Sequence, residues 1–295
     1  MTVSAALRLM AVMVLWASCF PLITIGLDLA PHLAFAALRA ALAGLCLIAL
    51  GALCGRPVPV GKRSWFLIVV VGLGATSMGF LGMFHAAEFV SPGLATVIAN
   101  VQPIIAAALA HVLLGERLMI IGKIGLAIGL AGIAVIAWPG VATVHIQGYS
   151  FGIAYVVLAA TGVSIGNIAI KRLTGQVDPI MAMGFQLLIG AVPLALISML
   201  MEDVSLLTWS TEFVFILVIL AVLGSSLAFW LWFEVLERVE LNRANAFTFL
   251  VPIFGLMIGA IFFGERLEAV QVAGVVLVLI GISLVQRGSG TAARS

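Results

Sequence analysis

The residues of this chain that could take part in chemistry are amides, hydroxyls and aromatic rings set within apolar segments. Asn100 and Asn245 lie on the same helical faces as Pro103 and Pro252, respectively. Each proline removes one backbone hydrogen bond and frees the carbonyl oxygen four residues before it. Such carbonyls and amides bind polar groups, and in hydrocarbon they are tolerated mainly where protein or cavity water satisfies them. The pattern predicts binding of a small molecule.

Covalent catalysis would need a nucleophile with a base, paired carboxylates or a metal site. His85 and Glu88 are three residues apart, but no third metal ligand is near them in the sequence. Cys19, Cys46 and Cys54 lack spacings typical of a disulfide framework or a metal site. The sequence therefore predicts no metal and no cofactor, and an intramembrane enzyme is the least favoured alternative.

The elements that must position these residues are membrane-spanning helices. Of the 295 residues, 64% are hydrophobic and only 9% are charged, and the mean hydropathy is +1.29. A bilayer core needs about 20 apolar residues per helix. The sequence predicts an all-α integral membrane protein with ten transmembrane segments at approximately 4–25, 33–53, 65–84, 92–113, 119–138, 150–170, 179–200, 213–233, 241–263 and 269–286.

The chain also contains an internal repeat with a constant offset of 149 residues. Pro103, the segment 115–118 (Gly-Glu-Arg-Leu) and Gly132 recur as Pro252, the segment 264–267 and Gly281. Five crossings per copy would turn the second copy upside down, which predicts two inverted five-helix repeats, 1–145 and 146–295, around a central cavity. We interpret the Gly-Glu-Arg-Leu turns as structural. Glycines spaced by four residues, in segments five and nine, predict close helix contacts and are Gly125, Gly129, Gly255 and Gly259.

Basic residues accumulate on the cytoplasmic side of membrane proteins. With both termini cytoplasmic, twelve of the fourteen fall on or near that face: Arg8, Arg56, Lys62, Arg63, Arg117, Lys123, Lys171, Arg172, Arg238, Arg243, Arg287 and Arg294. Arg39 lies within a segment, where it could either attract a substrate carboxylate or tie helices together. The net charge of +2 reflects this asymmetry and indicates no nucleic-acid partner.

The paired segments 103–118 and 252–267, with 16–20 (Trp-Ala-Ser-Cys-Phe), resemble the drug/metabolite transporter superfamily and, more closely, its EamA branch of ten-helix transporters. The aromatic amino-acid exporter group is the nearest match within it. The resemblance implies that segments five and ten are peripheral and that the others surround a cavity. The residues it implies for that cavity are Trp16, Phe20, Phe80, Phe84, Thr96, Asn100, Asn167, Phe229, Trp230, Asn245 and Phe249.

We therefore expect a secondary transporter of the bacterial inner membrane that exports amino acids, aromatic and other large apolar ones favoured, or related small metabolites. Asn100, Asn167 and Asn245 could hold an ammonium group. Alternating access would bend the chain at Pro21, Pro103 and Pro252. Facilitated diffusion is the simplest mechanism, with proton coupling through His85 as an alternative, and a monomer would suffice. The alternative function is a multidrug or cationic-compound exporter of the same fold, although the carboxylates lie at segment boundaries or in loops.

Overall fold

The computed structural model describes residues 2–86, 98–141, 149–262 and 268–290. This part of the chain forms ten helices, which we number α1 to α10. They are Val3–Leu27, His32–Leu53, Lys62–His85, Gln102–Leu114, Ile120–Val141, Tyr149–Leu173, Pro179–Met201, Thr211–Arg238, Leu241–Phe262 and Ala269–Gly288. Nine of the ten are long and apolar enough to cross a membrane, and α4 is shorter within the described residues. The all-α membrane fold predicted from the sequence is confirmed.

Local sequence signals set several helix ends. Asp178 precedes Pro179 at the start of α7, and its carboxylate accepts hydrogen bonds from the backbone N–H groups of Ile180 and Met181. Ser210 caps α8 in the same way. Gly115 ends α4 with φ of +70°, a left-handed conformation that glycine adopts without steric cost. The first residue of the first Gly-Glu-Arg-Leu turn therefore ends a helix, which agrees with a structural role for the turn.

Helices α3 and α8 each contain a π-helical segment, at Gly72–Met78 and Leu220–Leu227. In each segment a serine hydroxyl donates to the carbonyl five residues earlier, from Ser77 at 3.3 Å and from Ser226 at 3.0 Å. These two serines are counterparts under the 149-residue offset. The repeat in the sequence thus coincides with a repeat in an uncommon backbone conformation, which is often associated with functional sites.

The same two serines join the two halves of the chain. Ser77 of α3 also donates to the carbonyl of Gly190 in α7, at 2.8 Å. Ser226 of α8 donates to the carbonyl of Ala43 in α2, at 2.9 Å. Each half therefore hydrogen-bonds its third helix to the second helix of the other half.

Helix packing follows the same exchange of halves. Helix α3 packs on α6 and α7, while α8 packs on α1 and α2; α4 packs on α6, while α9 packs on α1. The pairs α2 with α7 and α5 with α10 are each made of counterparts. Swapping the two halves of the chain maps this set of contacts onto itself. Such a pattern is expected of two repeats that are related by a two-fold axis.

Close packing of α5 on α10 depends on glycine. A Cβ atom on Gly281 would lie 2.6 to 2.7 Å from backbone atoms of Gly125 and Gly129, and one on Gly132 would lie 2.8 Å from the carbonyl of Gly274. The expectation for Gly125 and Gly129 is therefore confirmed. For Gly255 it is wrong, because a Cβ atom there would have no neighbour within 4 Å. The four-residue spacing permits close approach but does not place a partner helix on that face.

Candidate functional site

Four helices meet at a buried chain of side-chain hydrogen bonds. The indole Nε1 of Trp232 in α8 donates to Oδ1 of Asn167 in α6, at 2.9 Å. Nδ2 of Asn167 donates to Oδ1 of Asn245 in α9, at 3.3 Å. Nε2 of Gln102 in α4 approaches the same oxygen at 3.5 Å. All four side chains are buried, and we call this group the amide chain. It contains Asn167 and Asn245, two of the residues that the family resemblance implies for the cavity.

An irregular turn before α4 and another within α9 lie next to two members of the amide chain, Gln102 and Asn245. In α9 a 3-10 turn at Phe247–Phe249 separates Leu241–Ala246 from the helix that resumes at Leu250. Residues 100–101 form a turn just before α4, the helix that contains Pro103. The repeat offset of 149 residues relates residues 100–101 to residues 249–250, so the two irregular stretches occupy overlapping positions of the repeat. Each precedes a proline, whose ring disfavours regular helix on its amino-terminal side.

An aromatic surface adjoins the amide chain. The ring of Trp16 in α1 lies 5.5 Å from that of Trp232 and 6.3 Å, edge to face, from that of Phe229. Such separations are typical of favourable aromatic pairs. Trp232 therefore takes part in both groups: its ring contacts Trp16, and its N–H group binds Asn167. The structure brings Trp16, Phe229 and the amide chain together.

Phe80 and Phe84 belong to a second aromatic group. Their rings are 6.0 Å apart, and Phe84 contacts Phe35 edge to face at 6.0 Å. The guanidinium carbon of Arg39 lies 5.0 Å from the centre of the Phe80 ring, a cation–π arrangement. These two predicted cavity residues thus pack around Arg39 in a cluster with parts of α2 and α8.

Arg39 itself ties α2 to α8. Its Nε donates to the hydroxyl of Ser225 at 2.9 Å, and its Nη2 donates to the carbonyl of Gly224 at 3.3 Å. In the other half, Gln186 lies at the equivalent position of α7, seven residues after the first residue of the helix. Its Oε1 accepts from the hydroxyl of Thr76, the counterpart of Ser225, at 2.8 Å. The two hydrogen bonds occupy equivalent places, which favours the structural interpretation of Arg39.

The remaining predicted cavity residues lie elsewhere. Trp230 donates to Glu234 at 3.1 Å, Phe249 is fully buried with its ring over Gly129 of α5, and Phe20 is 45% exposed. Asn100 is buried in the turn that precedes α4. Thr96 lies outside the described residues.

Charged contacts bind the helix ends near the start of α1. Arg8 of α1 pairs with Glu234 of α8 at 2.5 Å, and Glu234 also holds Trp230. Lys171 of α6 donates to the carbonyls of Leu236 and Val239, at 2.5 and 2.8 Å, where α8 ends. Trp230 thus lies beside an ion pair between α1 and α8, an environment that its sequence position did not reveal.

Glu116, in the first Gly-Glu-Arg-Leu turn, caps a helix of the other half. Its two carboxylate oxygens accept from the backbone N–H groups of Leu241 and Asn242 at 2.8 and 3.0 Å. These groups begin α9, where a negative charge is favoured by the helix dipole. This contact supports a structural role for the first Gly-Glu-Arg-Leu turn.

A histidine pair lies at the opposite end of the helices. Nε2 of His32 is 2.7 Å from Nδ1 of His85, and Nδ1 of His32 is 3.1 Å from the Glu202 carboxylate. The same carboxylate accepts from the first N–H groups of α2, at 2.8 and 2.9 Å. Among the described residues no group of three metal-binding side chains is present.

Sequence reasoning missed Gln102 and Arg8 and left Trp232 out of the cavity. Gln102 lies directly before Pro103, and this neighbour could have indicated it. Trp232 shares a helical face with Phe229, which was chosen instead. Nothing in the sequence pairs Arg8 with Glu234, because the two residues are 226 positions apart.

The sequence profile of the EamA-like transporter family matches residues 3–138 and 150–287 of this chain. A WAT1-related chloroplastic protein of Arabidopsis thaliana is 32% identical over 86% of this chain, which spans 63% of that protein's length. A Salmonella typhimurium protein named a probable amino-acid metabolite efflux pump is 30% identical, over 92% of this chain and 91% of its own length. A crystal structure with 20% identity superimposes with a TM-score of 0.81 over 96% of both chains, which shows a shared fold.

Proposed function

Because the chain belongs to the EamA-like transporter family, and is therefore a membrane transporter rather than an enzyme, we propose that it exports amino acids with large apolar side chains, or related small metabolites. The observation that carries this proposal is the amide chain beside the Trp16 and Phe229 rings. A polar group and an apolar surface at one place suit a small amphiphile. The name of the Salmonella typhimurium relative, an amino-acid metabolite efflux pump, agrees with this substrate class.

The proposed mechanism is alternating access between two inverted repeats, 1–145 and 146–295. Two features support it: the helix contacts that map onto themselves when the halves are exchanged, and the matching π-helical segments and helix breaks. Since each half contributes five helices, an odd number, consecutive crossing gives the second half the opposite orientation. The distribution of basic residues favours cytoplasmic termini in a bacterial inner membrane.

Rocking of the two halves against each other would break the contacts between them first at one end of the helix bundle and then at the other. The Arg8–Glu234 pair joins the two halves at one end, and the contacts of Glu202 with His32 and with the first N–H groups of α2 join them at the other. Pro103 and Pro252 follow the irregular turns before α4 and within α9, which supports bending there. Pro21 lies within an uninterrupted α1, and its role as a hinge stays a prediction.

Facilitated diffusion is the simplest energetic mechanism for this arrangement. The amide chain and its aromatic neighbours are neutral side chains; Glu116 and Glu202 cap helix ends, and Glu234 is paired with Arg8. A proton carrier beside the substrate would need an ionisable group there. We expect a proton gradient to leave the steady-state accumulation of substrate unchanged.

Counterflow in proteoliposomes tests the substrate class. Vesicles preloaded with unlabelled phenylalanine, tryptophan, methionine or threonine would receive the labelled amino acid outside, and protein-free vesicles would serve as the blank. We expect exchange of the three large side chains. A lipophilic-cation panel run in parallel tests the alternative exporter; cation exchange without amino-acid exchange would overturn the proposal.

A matched pair of variants links transport to the site. Trp232→Phe keeps an aromatic ring but removes the N–H group that Asn167 accepts. Trp138→Phe makes the same change at a side chain that is 65% exposed on α5. We expect the first variant alone to reduce exchange, and equal activity of the two variants would separate the amide chain from transport.

A further inference from the structure

The amide chain has a fixed direction, because an indole N–H group only donates. Asn167 must therefore turn its oxygen toward Trp232 and its NH2 group toward Asn245. Asn245 in turn presents its oxygen, which receives both Asn167 and Gln102. Rotating the Asn245 amide by half a turn would place three NH2 groups against one another. The assignment of its oxygen and nitrogen thus follows from the network.

This direction leaves a donor at the end of the chain. Asn245 is 1% exposed, and its Nδ2 has no hydrogen-bond partner among the described residues. A buried N–H donor without an acceptor is costly, and natural structures retain such groups where a ligand or a water satisfies them. The oxygens of Asn167 and Asn245, by contrast, already accept hydrogen bonds. Among the described buried atoms of the amide chain, Nδ2 of Asn245 alone has no partner, and as an N–H donor it can bind only an acceptor.

We propose that Nδ2 of Asn245 binds an acceptor oxygen of the substrate, a carboxylate or carbonyl, so that the amide chain recognises the acid end of the molecule. This inference rests on the proposed function and specifies its chemistry. It reverses the sequence expectation that the asparagines hold an ammonium group. The Trp16 and Phe229 rings, which Trp232 connects to the amide chain, receive the apolar side chain.

This contact predicts which part of the substrate sets the specificity. A molecule that keeps the carboxylate and the aromatic side chain but lacks the amine, such as a 2-oxo acid, retains the contact with Asn245. A molecule that keeps the amine and the side chain but lacks the carboxylate loses it. The transporter should therefore distinguish aromatic acids from aromatic amines.

Competition against labelled phenylalanine in counterflow tests this specificity on the native protein. Unlabelled phenylalanine and phenylpyruvate should compete at similar concentrations, whereas phenethylamine should need a concentration at least about tenfold higher, as for the loss of one hydrogen bond to a charged group. Competition by phenethylamine as strong as that by phenylalanine, or none by phenylpyruvate, would overturn the inference. Absence of any amino-acid exchange would instead refute the proposed function.

Asn245→Asp tests the residue itself. The aspartate keeps an oxygen for Asn167 and Gln102 but replaces the free donor with an acceptor. We expect the phenylalanine concentration that gives half-maximal exchange to rise at least about tenfold, and the preference to shift toward phenethylamine. Gln186→Glu is the matched control, because Nε2 of Gln186 is also buried without a described partner but lies outside the amide chain.

The control separates recognition from folding. Both variants place a carboxylate at a buried amide position, so a general loss of fold would lower the melting temperature and the exchange of every substrate in both. A changed ratio of phenylalanine to phenethylamine in Asn245→Asp alone supports the proposal. An unchanged ratio in a folded Asn245→Asp protein contradicts it.

Discussion

Replacing Arg39 by glutamine tests whether this buried cation is structural. The substitution gives α2 the residue that α7 carries at the equivalent position, where Gln186 accepts from Thr76 at 2.8 Å. Glutamine at position 39 can keep a hydrogen bond with Ser225. It loses the contact of Nη2 with Gly224 and the stacking on Phe80. The hydrogen bond expected between the new glutamine of the Arg39→Gln variant and Ser225 therefore already has a counterpart in the native protein, between Gln186 and Thr76.

The opposing energies nearly cancel. A hydrogen bond from a charged group contributes about 1.5–3 kcal/mol, and a cation–π contact about 0.5–2 kcal/mol. An arginine within a membrane helix costs about 2.5–3.5 kcal/mol on insertion scales, and glutamine removes this cost. We expect Arg39→Gln to change the free energy of unfolding by no more than about 2 kcal/mol, which corresponds to a shift of about 4–8 °C in Tm.

The assay combines thermal melting in detergent with phenylalanine counterflow. Arg39→Gln should melt close to the wild type and keep exchanging phenylalanine. Arg39→Ala is the comparison: it removes every contact of the side chain and leaves a space against Phe80, a loss of about 2–5 kcal/mol for comparable core truncations. A glutamine variant with wild-type Tm but no exchange would refute this reasoning, since Arg39 would then act on the substrate.

Three further outcomes follow from the packing and the topology. Gly281→Ala should lower Tm by an amount equivalent to about 1–3 kcal/mol, because the new methyl group would meet backbone atoms of α5 at 2.6 to 2.7 Å. Gly255→Ala is the control and should leave Tm unchanged, because the space around Gly255 is open. Equal effects of the two substitutions would contradict the described contact between α5 and α10. Glu116→Gln should lower Tm by the equivalent of about 1 kcal/mol, because an amide oxygen cannot receive both N–H groups at the start of α9 as the carboxylate does. With cytoplasmic termini, exposed Cys54 should react with an impermeant maleimide in inverted vesicles and not in intact cells; labelling from outside would reverse the orientation.

Much of the fold could be predicted from the sequence, because a membrane helix is a local consequence of about 20 apolar residues. Over the residues that the structure describes, the predicted segments agree with the helices, and the irregular turns before α4 and within α9 precede the two prolines. Ser77 and Ser226 are related by the repeat offset, and each donates a hydrogen bond to a helix of the opposite half. Composition, prolines and the repeat are properties of the chain itself and need no neighbour.

The site was predicted less completely, because it depends on how each helix is rotated about its axis. Successive residues on a helix differ in direction by about 100°, so the rotation of α8 about its axis decides whether Phe229 or Trp230 faces Trp16. The structure turns Trp230 toward Glu234 and Phe249 toward Gly129, away from the grouping implied by the family resemblance. Neighbouring helices set these rotations.

What the sequence determined by itself is therefore the membrane environment, the helices, their breaks and the duplication. Only the tertiary structure decided which side chains meet: Gln102 with Asn245, Trp232 with Asn167, and Arg39 with Ser225. It also fixed the direction of the amide chain, because donors and acceptors can be counted only when partners are known. Helix formation is local in the sequence, whereas these three hydrogen bonds between helices join residues that lie 65 to 186 positions apart.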